Sequence, residues 1–322
     1  MIAILNENYS MRPATFADAT TLANLINAVA QRKFGQAITS EQKIRLLWEM
    51  PSVNLKTDVH VVVTSNGEIA GFTELLNIPP HAYLIASGWV HPFDRNKGIG
   101  TYLLHHTESH AKQAISKINF DKTVTLNYEV YPNNTRFQRL LKKEGYNLVR
   151  KRWRMEITLS NLPDMPQLPK HIGIKPFAFT EANKHDIYDV MHDTFGDKWG
   201  YPLWAFDDWW HFYSQGNSID PTLWLMALHG TDVVGIALNW GNLHGKMSQH
   251  GYIAYMGVRH AYRRHGIANS LIYHTFRNFY QSGKHNITLH VDSQSLTNAQ
   301  QLYEKTGMKV VGETWIFQKE LC

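Results

Sequence analysis

Two stretches of the sequence decide the fold: VHPFDRNKGIGTYLL at Val90–Leu104 and VRHAYRRHGIANSLI at Val258–Ile272. They align without a gap at a spacing of 168 residues. Identical residues occupy the aligned positions Val90/Val258, Arg95/Arg263, Gly98/Gly266 and Ile99/Ile267. Self-similarity at a fixed spacing indicates one structural unit present twice.

The flanking sequence repeats in the same order. Trp48 corresponds to Trp209, and Ala70-Gly71 corresponds to Val234-Gly235. Between the copies, residues 161–170 contain three prolines, which interrupt helices and sheets. We therefore predict an N-terminal domain at 1–160 (copy one), a linker at 161–170 and a C-terminal domain at 171–322 (copy two).

Each copy has the same order of predicted elements: a strand, two helices, a hairpin, a longer strand, the repeated loop, and then helix, strand, helix and strand. The predicted hairpins are 60–64/69–76 and 222–228/232–239, and the longer strands are 83–90 and 250–258. Mixed strands and helices in this order predict an α+β fold with a mostly antiparallel sheet flanked by helices.

The composition excludes several classes of protein. Among 322 residues, 43% are hydrophobic, yet no apolar run is long enough to span a bilayer. The one cysteine is Cys322, and the N-terminus does not resemble a signal peptide, so we predict a cytoplasmic protein. A net charge of only +5 argues against nucleic-acid binding. His106 and His110 stand at i, i+4 without a further metal ligand at a familiar spacing, so we expect a solvated helix face and no metal site.

The repeated loop suits an anionic ligand. It lies between a strand and a helix, so its backbone N–H groups can converge on a pyrophosphate at the helix N-terminus. Gly266 allows close approach of the backbone, and Arg263 and Arg264 can add charge-assisted hydrogen bonds. The loop of copy one repeats this chemistry around Arg95 and Gly98.

These motifs resemble those of the GNAT superfamily of N-acetyltransferases. That family has an R/Q-x-x-G-x-G/A loop after a bulged strand, followed later by an Asn-containing turn and L-Y-x-x-x-G-[FM]. The second motif reads VDSQSLTNAQQLYEKTGMKVV from Val291 and, in a related form, NNTRFQRLLKKEGYNLV from Asn133. The resemblance covers nearly the whole chain and implies two tandem GNAT domains that use acetyl-CoA, with a small-molecule or peptide amine as partner.

The resemblance also implies which residues contact coenzyme A. In copy two they are Met256, Gly257, Val258, Arg263, Arg264, His265, Gly266, Ile267, Ala268 and Asn269. In copy one they are Val90, Arg95, Asn96, Lys97, Gly98, Ile99, Gly100 and Thr101, with Trp89 beside them on the strand.

Catalysis is predicted in copy two. Tyr303 is in register with the tyrosine that, in this family, protonates the departing thiolate, whereas copy one has Leu141 there. The amine must lose a proton before it attacks through a tetrahedral intermediate, and His250 and Asp292 are the candidates that could accept it. A water chain is an equal alternative.

Six aromatic residues between Phe195 and Phe212 predict either an apolar or aromatic substrate wall or helix packing between the two copies. Of Asp207 and Asp208, at most one should face a cationic amine, because adjacent helical residues point in different directions. Three functions remain open: an N-acetyltransferase, a thiol-conjugate (mycothiol-type) acetyltransferase, and a non-enzymatic acyl-CoA-binding regulator.

Overall fold

The computed structural model describes residues 5–34, 37–79, 81–116, 123–196, 198–201, 204–215, 220–241, 250–295 and 297–321. The chain forms two compact units. Unit 1 comprises Met1–Arg150 and Thr314–Cys322, and unit 2 comprises Lys151–Glu313.

The described strands are β1 (Tyr9–Pro13), β2 (Val59–Thr64), β3 (Ile69–Leu76), β4 (Tyr83–Val90), β5 (Thr125–Val130), β6 (Asn147–Thr158), β7 (Ile172–Pro176), β8 (Leu225–His229), β9 (Asp232–Trp240), β10 (His250–Val258), β11 (Asn286–Asp292) and β12 (Lys309–Glu320). The described α-helices are α1 (Ala19–Phe34), α2 (Glu41–Trp48), α3 (Leu55–Asp58), α4 (Ile99–Ile115), α5 (Thr135–Lys143), α6 (Glu181–Phe195), α7 (Phe206–Gln215), α8 (Ile267–Gln281) and α9 (Ala299–Lys305). These bounds confirm the predicted hairpins and longer strands to within a few residues.

Both units build the same kind of sheet. In unit 1 the strand order is β1-β2-β3-β4-β5-β12, and in unit 2 it is β7-β8-β9-β10-β11-β6. Only β4/β5 and β10/β11 pair in parallel within these described sheets. The predicted α+β class with mixed, mostly antiparallel sheets is confirmed.

The compact units differ from the predicted division in that 161–170 falls inside unit 2 and in which closing strand each unit contains. Trp315–Glu320 of β12 pair with β5 of unit 1, whereas Arg152–Thr158 of β6 pair with β11 of unit 2. Each unit is therefore completed by the last strand of the other sequence copy. A repeat in sequence fixes the order of elements, but it does not specify which of two equivalent strands completes each sheet.

Local sequence accounts for the ends of several elements. Ser40 accepts a hydrogen bond from the backbone N–H of Lys43 at the start of α2, and Thr180 does the same for Asn183 at the start of α6. Gly67 adopts a φ of 83° in the β2–β3 turn, a left-handed conformation that glycine reaches without strain.

Each unit packs its sheet against α4 or α8. In unit 1, Leu84, Leu104 and Leu126 belong to one buried apolar cluster. In unit 2, Ile253, Ile272 and Leu289 occupy a corresponding cluster. The end of β4 or β10 and the start of the following helix are thereby held on a rigid base, which positions the repeated loop.

Candidate acyl-CoA sites in the two units

The repeated loop has the same backbone in both units. Gly98 and Gly266 precede α4 and α8 with φ of 83° and 81°, and Asn96 and Arg264 have φ of 68° and 65°. Neither glycine supplies a capping side chain, so the first-turn N–H groups of both helices can bind an anion such as a phosphate.

The parallel strand pair separates in front of each loop. β4 pairs with β5 only from Tyr83 to Ala86, and β10 pairs with β11 only from His250 to Ile253. Downstream, both strands leave their parallel neighbour, which opens a gap. The bulge expected in this strand is present in β10, between Ile253 and Tyr255, whereas the β3/β4 register runs without a shift.

Unit 1 holds a cavity of about 410 Å³ at this gap. Its walls are the loop, the end of β4, one face of α4 and the start of α5. Gly88 and Thr73 line it on the α4 face of the sheet, while Val29 of α1 and Trp89 line it on the other face. The cavity therefore passes through the gap between the strands. Gly88 keeps it open, since it has no side chain there.

The mouth of this cavity is cationic. Arg95 lies near Arg136 and Arg32, and partial burial together with these two charges lowers the pKa of its guanidinium. The Arg136 side chain donates a hydrogen bond to the Asn96 side-chain oxygen. Like charges held together raise the affinity for an anion. The Lys97 ammonium, in contrast, is paired with Asp94 at 2.8 Å.

The corresponding position in unit 2 is filled. Gly88 lies opposite Thr73 in the β3/β4 register, and Met256 lies opposite Ala237 in the β9/β10 register. The Met256 side chain packs against both apolar clusters of unit 2. A methionine thus occupies the position that is open in unit 1.

Arg263 also differs from its counterpart Arg95. Its Nε donates to the Val258 carbonyl oxygen at 3.2 Å and its terminal nitrogen donates to the Thr194 carbonyl oxygen at 3.1 Å. Thr194 packs so closely that a Cβ on Gly257 would lie 2.4 Å from its methyl carbon. Pro169 of the linker lies 3.8 Å from the Cβ position of Gly266, whereas nothing lies within 4 Å of that of Gly98.

The residues predicted to catalyse in unit 2 are dispersed. Tyr303 is only 8% exposed and belongs to the apolar core of unit 2, where burial raises its pKa to about 12. His250 opens β10 opposite Asn286, and Asp292 ends β11 six residues further along. At about 3.3 Å per residue, the backbones of His250 and Asp292 lie roughly 20 Å apart. The Asp292 carboxylate accepts the backbone N–H of Gln294.

Aromatic side chains of the 195–212 segment pack against others in unit 2. Trp209 and Tyr213 are nearly fully buried, and their rings contact each other and neighbouring aromatic rings. Asp208 is buried and Asp207 is exposed, as the helix geometry predicts. In unit 1, His106 and His110 do not lie on a solvated face as we expected. His106 packs against His60, with ring centroids 4.5 Å apart, and His110 contacts Asp58 at 3.2 Å.

Sequence reasoning missed one polar pair in unit 1. Glu74 of β3 lies opposite Ser87 of β4, and the Ser87 hydroxyl donates to its carboxylate at 2.8 Å. The same register positions in unit 2 hold Leu238 and Tyr255. The signal was available, because aligning Ala70-Gly71 with Val234-Gly235 places Glu74 against a leucine.

The geometry of loop, separated strands and cavity agrees with comparisons to known proteins. The sequence profile of the Acetyltransferase (GNAT) family matches residues 25–146 and again residues 184–308. The chain therefore belongs to the GNAT family. This membership supports acyl-CoA-dependent N-acyl transfer as the general type of reaction. A comparison with curated protein sequences gives no significant match.

Solved structures show the same architecture. A GCN5-related N-acetyltransferase from Sphaerobacter thermophilus is 29% identical, with a TM-score of 0.78 over 99% of this chain and 97% of that one. A tandem GNAT protein from the clavulanic acid biosynthesis pathway is 13% identical, with a TM-score of 0.70 over 98% and 99%. N-myristoyltransferase from Saccharomyces cerevisiae, solved with bound myristoyl-CoA, is 10% identical, with a TM-score of 0.65 over 99% and 80%.

Within the described residues, no group of three or more His, Cys, Asp and Glu side chains is arranged to hold a metal ion. In that same part of the chain, every helix is too short or too polar to cross a membrane.

Proposed function

We propose that this protein transfers an acetyl group from acetyl-CoA to a primary amine of a small molecule or peptide, and that unit 1 binds the acetyl-CoA. The cavity of unit 1 carries this proposal, because it joins the anion-binding loop to the gap between β4 and β5. Unit 2 has the same loop, but Met256 stands where unit 1 has Gly88, and the Arg263 side chain is hydrogen-bonded to main-chain carbonyl groups.

In this reaction the loop of unit 1 would bind the pyrophosphate through backbone N–H groups, with Arg95 and Arg136 adding charge-assisted hydrogen bonds. Beyond Ala86, the edge of β4 that turns away from β3 can hydrogen-bond the extended pantetheine arm. An N–H group of the Gly88–Val90 segment would polarise the thioester carbonyl and stabilise the oxyanion that forms on attack.

One observation favours the non-enzymatic regulator as a second candidate. Leu141 of unit 1 is fully buried in an apolar cluster at the register position of Tyr303, so it supplies no proton to a leaving thiolate. In a transferase that proton would come from water or from the attacking nitrogen itself.

The test is the release of free thiol from acetyl-CoA in the presence of a panel of primary amines. Gly98→Glu and Gly266→Glu form a matched pair. Both glycines have nearly the same positive φ, so each glutamate would carry a similar backbone strain. We expect turnover in the wild type, its loss in Gly98→Glu, and its retention in Gly266→Glu.

Turnover that is retained in Gly98→Glu and lost in Gly266→Glu would assign catalysis to unit 2. Acetyl-CoA binding without turnover of any amine would favour the regulator instead. Circular dichroism spectra of both variants establish that each one is folded.

A further inference from the structure

The Glu74 side chain lies on the face of the unit 1 sheet that is turned away from α4. On β3, Thr73 bonds the α4 residue Thr107, and Glu74 alternates to the opposite face. Trp48 of α2 lies on that side, with its indole N–H beside the Glu74 carboxylate but without a hydrogen bond of ordinary geometry. Glu74 therefore lies on the α1/α2 side of the sheet, beside Trp48.

The Glu74 carboxyl group lies on a strand that is paired on both sides. Burial raises the pKa of its carboxyl group, and the two groups that favour the charged form, Ser87 and Trp48, are both neutral. Holding a carboxylate away from water without a counter-charge costs stability. A perturbed carboxyl group beside a cavity is a candidate for proton transfer.

The cavity reaches the face that carries Glu74. Trp89 lines the cavity and also packs against the α1/α2 apolar cluster, which contains Phe72. Ser87 precedes Trp89 by two residues on the same face, a distance of roughly 7 Å along the strand. Ser87 is thus the residue of β4 that connects the Trp89 position at the cavity wall with the Glu74 carboxylate, to which it is hydrogen-bonded.

We propose that Glu74 accepts the proton of the attacking amine, and that the Ser87 hydroxyl carries this proton between them. The inference rests on the function proposed above and names the proton acceptor of that same site. It also directs the amine to the α1/α2 face of unit 1.

The proton balance is simple. The ammonium form of the amine gives one proton to Ser87 Oγ as Ser87 passes its own proton to Glu74 Oε1. The free amine nitrogen then bonds to the thioester carbonyl carbon, and the carbon–sulfur bond breaks. The second proton lost by nitrogen ends on the departing thiolate, so the products are the amide, free coenzyme A and a protonated Glu74.

Unit 2 offers an internal contrast. Leu238 and Tyr255 occupy the same register positions, and the Tyr255 ring packs against Phe195 and Tyr213. The position that presents a carboxylate in unit 1 is apolar in unit 2. This agrees with the placement of chemistry in unit 1.

The test uses the full chain with an amine identified by the thiol-release assay. General-base catalysis contributes roughly 10²–10⁴-fold, so Glu74→Gln should lower kcat by about 100-fold or more while the Kd for acetyl-CoA stays within about 3-fold. The deficit should shrink as pH rises towards the pKa of the amine, because less proton transfer is then needed. Ser87→Ala should show the same pH dependence with a smaller loss.

Glu156→Gln is the matched control. Glu156 is paired across strands with the Thr288 hydroxyl in unit 2, at 3.4 Å, and should keep its kcat. Glu74→Gln should also unfold at the same or a higher temperature at pH 7. When folding raises the pKa of a carboxyl group, the folded protein loses stability as the pH rises through that pKa.

The inference is overturned if Glu74→Gln matches the wild type across the pH range, or if it loses acetyl-CoA affinity in proportion to kcat. A fall in melting temperature with an unchanged pH profile would assign Glu74 a structural role. Absence of turnover in the wild type would instead contradict the proposed function itself, which keeps the two failures distinct.

Discussion

The two units carry the same loop but not the same groove. Gly98 and Gly266 have φ values within a few degrees of each other. Gly88 lines a cavity of about 410 Å³ in unit 1, whereas the aligned residue of unit 2, Met256, carries a side chain that packs against two apolar clusters. The loop motif predicts a backbone conformation that can bind a phosphate. Whether a ligand fits depends on side chains behind the loop, which the motif does not include.

Exchanging the groove residues should have the largest effect. We expect Gly88→Met to weaken acetyl-CoA binding by about 100-fold, or about 2.7 kcal/mol, because the methionine occupies the cavity and the Cβ alone would approach the Phe72 carbonyl oxygen at 3.1 Å. Met256→Gly should leave that binding unchanged. Isothermal titration calorimetry measures both, and equal affinities in the two variants would contradict the contrast between the grooves.

The next largest effect is a difference between substitutions of the two loop arginines, Arg95 and Arg263. Arg95→Gln removes a cation that has cationic neighbours, so acetyl-CoA affinity should fall by about 2 kcal/mol, or roughly 30-fold. Arg263→Gln removes donors to two main-chain carbonyl groups and should lower the melting temperature instead. If Arg263→Gln weakens binding and Arg95→Gln does not, the loop of unit 2 is the phosphate site.

Tyr303→Phe distinguishes catalysis in unit 2, which the family resemblance implies, from catalysis in unit 1. The family resemblance predicts a large loss of kcat in Tyr303→Phe, whereas catalysis in unit 1 predicts a kcat within about 2-fold of the wild type, since the ring packs in the core of unit 2 and Phe preserves that packing. Steady-state kinetics distinguish the two. A large loss of kcat with unchanged acetyl-CoA affinity would restore Tyr303 as the proton donor.

The smallest effect concerns acid stability in unit 1. Burial, followed by the nearby His60 and His110, lowers the pKa of His106 to about 4. Because the folded state resists protonation, the stability contributed by neutral His106 is complete above about pH 6.5 and declines as pH falls towards 4. His106→Gln should reduce this decline by about 2–4 °C in melting temperature.

His274→Gln provides the comparison from unit 2. His274 is the counterpart of His106 on α8, and its Nδ1 lies 2.8 Å from the Ser270 carbonyl oxygen. This variant measures what a His→Gln exchange does at the corresponding helix position of unit 2. Identical profiles in wild type and His106→Gln would remove His106 as the cause.

Much of this fold could be predicted from the sequence, because the duplicated loop fixed the order of elements and alternation fixed the strands. The exchange of β6 and β12 could not, since both strands satisfy the same pattern. The predicted loop residues lie together in each unit. The catalytic roles of Tyr303, His250 and Asp292 stay predictions. His250 and Asp292 lie at opposite ends of the β10/β11 pair, and Tyr303 lies in the core of unit 2. These positions depend on strand register and packing, which spacing in the sequence alone does not reveal.

Glu74 illustrates the same limit. Its function depends on the residue opposite it, Ser87, and that pairing is set by the β3/β4 register. A search confined to the strand before the loop does not reach it. The comparison of aligned copies, position by position, would have identified both Glu74 and Gly88 as the places where the two units diverge.

The most direct test of the account is the stoichiometry of acetyl-CoA binding, measured by isothermal titration calorimetry on the wild type, Gly98→Glu and Gly266→Glu. Binding in unit 1 alone predicts one molecule per chain in the wild type, none in Gly98→Glu and one in Gly266→Glu. Two molecules per chain in the wild type, or a single site that survives Gly98→Glu and disappears in Gly266→Glu, would contradict it.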